Sequence, residues 1–385
     1  MDIRDLTPDD GDAILDLRTR AFGPLSGGDV AAWRTMVAPS FAERRYLGVV
    51  DGSRLVAAAR INDYDQWWHG RRVPMGGVAG VTVAPEDRGR GVGRLLMEAV
   101  LERCGVLGYP VSALYPATTP IYRSLGWEHV GAQLQATLPA ESLRGLSRGG
   151  EQVKLRRAGV DDAAEVVEVV DRVYERTRPS GPLRWSERDW RLWLAEEEDF
   201  AYLAEDGFLL YRWDGKDLDV DNLVASSAAT AQALWGLLGS AASIAKRVTA
   251  CVEPDDPVFW LLRERTHDEV RQTRWMLRLV DVPAAVAARG FPASVSADLN
   301  LAVDDPRRPA NTGVWRLRVA SGRGTLTPGD GPVAGRLTVG GMSALYGGVG
   351  TATLRRAGLL TGGDGAADDV LDGVFAAKPY MIDYF

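Results

Sequence analysis

At 385 residues the chain exceeds the length at which one hydrophobic core usually stops growing, so two or three domains are expected. Hydrophobic residues at 46% and charged residues at 25% exclude a largely disordered chain. The formal charge of -7 disfavours a nucleic-acid partner and suits a small cationic one.

Cys104 and Cys251 each stand in an apolar context, far apart in sequence, and read as reduced core thiols of a cytoplasmic protein rather than a disulfide framework. The opening "MDIRDLTPDD" has no basic stretch followed by an apolar one, and no run approaches about eighteen apolar residues, so neither export nor a membrane partner is expected. His69, His129 and His267 form no pair at helical spacing and no Cys-x-x-Cys occurs, so no metal is expected.

In chain order, "IRDLTPDDGDAILDLRTRAF" reads as a strand and a helix capped at Thr7, with Pro8 at its first position. Strands follow over Tyr46 to Val50 and Arg54 to Ile61, joined by the turn "DGS". "QWWHG" reads as an exposed aromatic pair in a loop, at an interface or a pocket.

"GVTVAPEDRGRGVGRLLMEAV" is the most specific stretch: a strand at Val81, Thr82 and Val83, a glycine-rich turn from Arg88 to Gly93, and a helix whose apolar face begins at Val92. Gly91 and Gly93 let the backbone approach a ligand, and the turn's amides with the helix N-terminus offer a cradle to a pyrophosphate. Glu86 and Asp87 flank this turn as helix-end carboxylates.

"LRGLSRGGEQ" reads as a linker near residue 150. "VKLRRAGVDDAAEVVEVVDRVY" then repeats the opening strand, basic residues, acidic first turn and helix, so a duplicated module with an offset of about 150 residues is expected. A hairpin turns at Asp206 and Gly207. The junction "LVASSAATA" holds the place of the glycine-rich turn without its arginine or glycines. From about Pro283, period-two segments and a late helix mark a third, α+β domain.

The stretch around Arg88, Gly91 and Gly93 resembles the acyl-CoA loop of the GNAT acetyltransferase superfamily, Arg/Gln-x-x-Gly-x-Gly/Ala. Downstream, "YPVSALYPATTPIYRSLGWEHVG" resembles that superfamily's last strand, helix and strand. Acetyl transfer to an amine needs a neutral nucleophile, stabilisation of an oxyanion and an acid for the departing thiolate. Tyr122 fits the acid, since a phenol (pKa about 10) stays protonated until a thiolate (about 8.5) forms beside it. An amide freed where strands splay near Val81 to Val83 suits the carbonyl oxygen. No histidine lies in these motifs, so the base is sought elsewhere.

One module with a CoA loop, one without it and a third domain, in that order, resemble the Enhanced intracellular survival (Eis) family of N-acetyltransferases over the whole chain. The resemblance implies tandem GNAT folds and a sterol-carrier-protein-like domain, a mixed α/β and α+β architecture divided at 1–148, 149–282 and 283–385. It implies one acetyl-CoA per chain, in contact with Val81, Thr82, Val83, Arg88, Gly89, Arg90, Gly91, Val92, Gly93, Arg94, Ala117 and Thr118. It also implies that the terminal carboxylate, here on Phe385, enters the first domain as the base, with Tyr122 as acid. Trp33 and Tyr115 would line the pocket of a small cationic amine of aminoglycoside, polyamine or lysine type, and a homohexamer is implied. Two other readings compete: a tandem enzyme resembling mycothiol synthase that acts on a small thiol precursor, and a lipid-binding protein built on the third domain.

Overall fold

The computed structural model describes residues 1–146, 152–263 and 269–385. Half of the linker expected near residue 150, and His267, lie outside the described residues. The first part of the chain holds β1 (Asp2–Asp5), α1 (Gly11–Phe22), α2 (Gly27–Ala42), β2 (Tyr46–Asp51), β3 (Arg54–Trp68), β4 (Arg71–Val83), α3 (Val92–Val106), β5 (Val111–Leu114), α4 (Thr119–Arg123), β6 (Glu128–Pro139) and α5 (Ala140–Leu143). The second holds β7 (Arg156–Ala158), α6 (Ala163–Thr177), β8 (Ser180–Arg184), α7 (Glu187–Trp193), β9 (Asp199–Ala204), β10 (Gly207–Asp214), β11 (Asp217–Ala225), α8 (Ala228–Gly239), β12 (Arg247–Val252), α9 (Val258–Leu261) and β13 (Glu269–Leu279). The third holds α10 (Val282–Ala288), β14 (Ala297–Asp304), β15 (Gly313–Ala320), β16 (Arg323–Pro328), β17 (Gly335–Thr338), α11 (Val339–Tyr346), α12 (Thr351–Arg356), β18 (Leu360–Thr361) and α13 (Gly365–Val374).

The duplication shows in matched contacts. Arg4 pairs with Asp10 at 2.6 Å and Arg156 with Asp162 at 2.9 Å, and in each copy that carboxylate also accepts a backbone N–H three residues upstream, from Thr7 and from Gly159. Each aspartate thus ties the end of a strand to the start of its helix.

The two copies share one 13-stranded sheet, in the order β1-β2-β3-β4-β5-β13-β6-β12-β11-β10-β9-β7, with β8 paired to β3. β13, the last strand of the second copy in chain order, lies between β5 and β6 of the first, antiparallel to both. The third domain is a separate five-stranded sheet, β16-β15-β14-β17-β18, covered by helices. Its interior is packed with Val286, Phe291, Leu301, Leu317, Met342 and Phe375. The guanidinium of Arg289 is also enclosed there, 4.9 to 5.5 Å from the rings of Trp68, Phe291, Tyr346 and Phe375, and burial pushes it down to about 10. Among the described residues no helix is long and apolar enough to cross a membrane.

"QWWHG" corrects the sequence reading. β3 runs on past Ile61 to Trp68, so the pair is in a strand, and both tryptophans are at most 1% exposed. Consecutive strand residues face opposite sides. Trp67 therefore packs on Tyr174 of α6, whereas Trp68 packs on Tyr346 of α11. This end of β3 keys all three parts of the chain together, and only the turn at His69 (φ 48°) and Gly70 stays outside it.

Candidate active site

The glycine-rich turn has the backbone its composition implies. Gly89 and Gly91 have φ of 78° and 80°, a conformation costly for other residues, and a Cβ on either would meet nothing within 4 Å, so the turn is open rather than packed. Gly91 caps α3, a helix of 15 residues beginning at Val92. Asp87, 1% exposed, sits beneath the turn and binds Arg54 at 2.7 Å and Arg90. It is thus an anchor, and the arginines hold its carboxyl below the usual range. Arg94 pairs with Glu98 at 3.1 Å, and Glu98 also meets Arg307 of the third domain at 2.9 Å. Open amides, a positive helix end and glycine backbone fit the diphosphate of a coenzyme.

The equivalent place in the second copy is filled from within. Ser227 caps α8 through the amide of Thr230 at 3.2 Å, and the Asp206 carboxylate accepts from Ser226 at 3.1 Å and from the Thr230 hydroxyl. An internal anion thus occupies the helix end that an external one would need.

β4 and β5 run parallel and pair at Met75, Gly76 and Gly77 only. β5 ends at Leu114, while β4 continues to Val83, paired on its other side with Ala57 and Ala58 of β3. The β5-facing edge of Val81 to Val83 is therefore not taken up by the ladder, leaving a backbone N–H able to meet a carbonyl oxygen. Thr118 immediately precedes α4 and Pro120 stiffens its first turn, which positions Tyr122. Tyr122 is 5% exposed and packs with Val92, Leu96, Val100 and Trp127. Burial pushes its phenol up to about 12. Donation to a free thiolate would then be uphill. Burial also pushes the Cys104 thiol of the same core up to about 12, so desolvation there raises phenol and thiol alike.

The last residues cross the molecule. The Tyr380 amide donates to the Ser180 carbonyl at 3.0 Å and the Met381 amide to the Ala132 carbonyl at 3.3 Å. Gln133 Nε2 then donates to the Ile382 carbonyl at 2.9 Å, and the Tyr115 hydroxyl to the Asp383 carbonyl at 2.8 Å. The ring of Phe385 lies edge-on to Tyr64 at 5.4 Å and to Tyr115 at 5.7 Å. A Cβ on Gly77, the last β4 residue paired with β5, would come within 3.0 Å of that ring. Phe385 is therefore at the point where the strands part. The Tyr115 ring lies against that of Tyr384 at 4.4 Å, tilted by 34°, so its ring and hydroxyl hold the tail.

Phe385 and Tyr384 close one end of a cavity of about 940 Å³, whose wall includes Trp33 of α2, Arg60, Asp65, Trp185, Trp193 and Glu196. The structure thus brings Trp33 and Phe385 to one cavity, with Tyr115 behind the tail. Ala117 and Thr118 lie on the segment between β5 and α4, and Tyr122 lies in α4 itself. His129 is in β6 and His69 in a turn, both half-buried, and burial lowers the pKa of each.

Sequence reasoning passed over the seats of the tail. A Cβ on Gly131 would fall on the Pro379 carbonyl and 2.7 Å from the Trp275 ring, and one on Gly181 would fall on the Tyr380 backbone. An isolated glycine inside a strand pattern signals such close backbone approach, and Gly131 in "HVGAQLQ" carries that signal. Gly131→Ala is therefore expected to displace the tail and lower kcat by about 10²-fold, the penalty of about 1 Å of misplacement, with KM for the thioester unchanged in steady-state kinetics. α2 was likewise unread, although "SGGD" announces its start: Asp29 N donates to Ser26 Oγ at 3.3 Å.

Comparison with known proteins gives a consistent result. Two family models, each described as an acetyltransferase (GNAT) domain, match residues 2–130 and 181–279, and a sterol carrier protein domain matches 282–382. N-acetyltransferase Eis of Mycobacterium tuberculosis is 31% identical over 96% of each chain. The crystal structure of a GCN5-related N-acetyltransferase from Kribbella flavida superposes with a TM-score of 0.96 at 51% identity, covering 100% of this chain and 98% of that one. Eis1 from Mycobacterium abscessus shares the fold, with a TM-score of 0.79 at 23% identity over the full length of both chains.

Proposed function

The chain belongs to the Eis family of GNAT N-acetyltransferases, and from this we propose that it moves acetyl from acetyl-CoA to a primary amine, with Tyr122 as acid and the α-carboxylate of Phe385 as base. The observation that carries the reading is the seating of Phe385 against Gly77, where β4 and β5 part. GNAT enzymes use acetyl-CoA as acetyl donor, and the open turn from Arg88 to Arg94, with Val81 to Val83 and with Ala117 and Thr118, is proposed to hold it.

In this reading the Phe385 carboxylate takes a proton from the bound ammonium, and the freed amine forms the new C–N bond. A backbone N–H at Val81 to Val83 meets the oxyanion. The C–S bond breaks, Tyr122 gives its hydroxyl proton to the departing thiolate, and the surplus proton left on the newly bonded nitrogen returns the Tyr122 phenolate to a phenol, directly or through solvent, leaving a neutral amide and the CoA thiol. Arg60 shares the cavity with Asp65 and Glu196, so the wall is not uniformly negative. Its aromatic rings, Trp33, Tyr64, Trp185 and Trp193, suit an ammonium carried on a bulky or apolar body. Filling of the second helix end by Asp206 supports one acetyl-CoA per chain.

The test is release of CoA on mixing the protein and acetyl-CoA with a panel of aminoglycosides, polyamines and lysine peptides; no release with any of them refutes the proposal. Tyr122→Phe is expected to lower kcat by about 10²-fold, the lower range for a positioned proton donor, with acetyl-CoA affinity by calorimetry unchanged.

A further inference from the structure

Asp383 has no part in that chemistry, yet it is the most enclosed acid of the tail. It is 4% exposed, its Oδ1 accepts from Trp185 Nε1 at 2.6 Å, and its Oδ2 meets neither a donor nor solvent. The groups facing it are poor partners for a charge: Tyr64 of β3, Tyr115 after β5, Tyr174 of α6, Asp221 of β11 and Cys251 of β12. Beside it, a cavity of about 410 Å³ adds Glu196, Asp199 and Arg212. The guanidinium of Arg212 is already bound to Asp199 at 2.8 Å and to Asp221. Burial outweighs Trp185 Nε1 and the backbone amides of Leu183 and Asp383, which favour the anion. A neutral carboxyl is far cheaper to enclose without a partner than an ionised one.

We propose that Asp383 is a positioning residue that seats the tail in its neutral form, so that docking of Phe385 takes up one proton and weakens when Asp383 ionises. This rests on the reading above that the tail belongs to the active site, since only then does its seating govern turnover. Burial pushes Asp383 from its ordinary 3.8 up to about 7. A carboxyl raised in the docked state favours docking in acid, and the advantage disappears as pH rises. Between 3.8 and about 7 the docked tail keeps a proton that the free tail gives up. Over that window the docking constant falls by about tenfold per pH unit. Above it both forms are ionised and the constant levels off.

The experiment follows release of Phe385 from the full chain by carboxypeptidase Y between about pH 5 and pH 8, normalised at each pH to release from the free peptide PYMIDYF. The normalised rate is expected to climb by about tenfold per unit up to about pH 7 and then level, and to be flat in Asp383→Asn, which keeps an oxygen for Trp185 but cannot ionise. Trp185→Phe removes the donor that favours the charged form, so its climb should continue beyond the wild-type plateau. It carries the test if the Asn variant does not fold. A flat wild-type profile, an unchanged climb in Asp383→Asn, or an unmoved plateau in Trp185→Phe overturns the proposal. Protease access does not require the Phe385 carboxylate to act as base. Loss of the proton-linked profile therefore removes the latch alone, while failure of the chemistry appears in turnover.

Discussion

A chain carrying a Gly-Ser extension after Phe385 loses acetyl transfer by about 10²–10⁴-fold in kcat, the range that one positioned general base supplies. The extension keeps every ring of the tail and turns the carboxylate into an amide, so it removes the proposed base without removing the seat. The seat is well defined: Tyr64 and Tyr115 grip the Phe385 ring at 5.4 and 5.7 Å, and Gly77 provides the space that ring occupies. The CoA turn is built from other contacts, those of Asp87 with Arg54 and Arg90, so acetyl-CoA affinity by calorimetry should be unchanged. A second variant lacking Phe385 leaves a carboxylate on Tyr384, one residue further from the strand gap, and should be equally inactive if position matters. Full turnover in the extended chain would eliminate the carboxylate and leave the acetyltransferase assignment standing.

What was legible in the sequence was local. The turn from Arg88 to Gly93 and the segment ending at Tyr122 each specify their own backbone through glycine and proline, so their local structure could be read without knowing their neighbours. The duplication was legible for the same reason, because Arg4 with Asp10 and Arg156 with Asp162 are contacts within a few residues. Strand order was not. The alternation of β13 marks a strand but names no partner, and its place between β5 and β6 is decided by closure of a sheet around residues more than a hundred positions away. "QWW" failed on a related point. Two adjacent bulky apolar residues are both buried in a strand only when cores lie on both faces, and the second core is supplied here by α11. The apolar tail showed that it must be covered, but not by what: its cover comes from β6, β8 and the segment after β5, all distant in sequence.

The placement of β13 leads to the largest stability effect expected. Arg278 of β13 and Asp305 are both 0% exposed, joined by two bonds of 2.8 and 2.7 Å from Nη2. The other guanidinium nitrogens are also used: Nε donates to the Leu125 carbonyl at 2.8 Å and Nη1 to the Leu279 carbonyl at 2.6 Å. Asp305 in turn accepts from Asn311 Nδ2 at 2.8 Å and from the amides of Arg307 and Arg308. One buried arginine therefore binds the turn after Tyr122, its own strand and the third domain. Asp305→Ala leaves that guanidinium enclosed without its counter-ion and should lower the unfolding free energy by about 3–5 kcal/mol in denaturant titration. Replacing both partners with apolar residues, Arg278→Met with Asp305→Leu, removes the uncompensated charge and should recover most of the loss. Recovery of stability need not recover turnover. Without Arg278 the Leu125 carbonyl loses its donor, and the turn after Tyr122 loses its side-chain tie to β13. The double variant is expected to fold and yet transfer acetyl more slowly than the parent, a separation that would place this pair among the supports of the acid; equal loss of stability in the single and double variants would refute the charge argument.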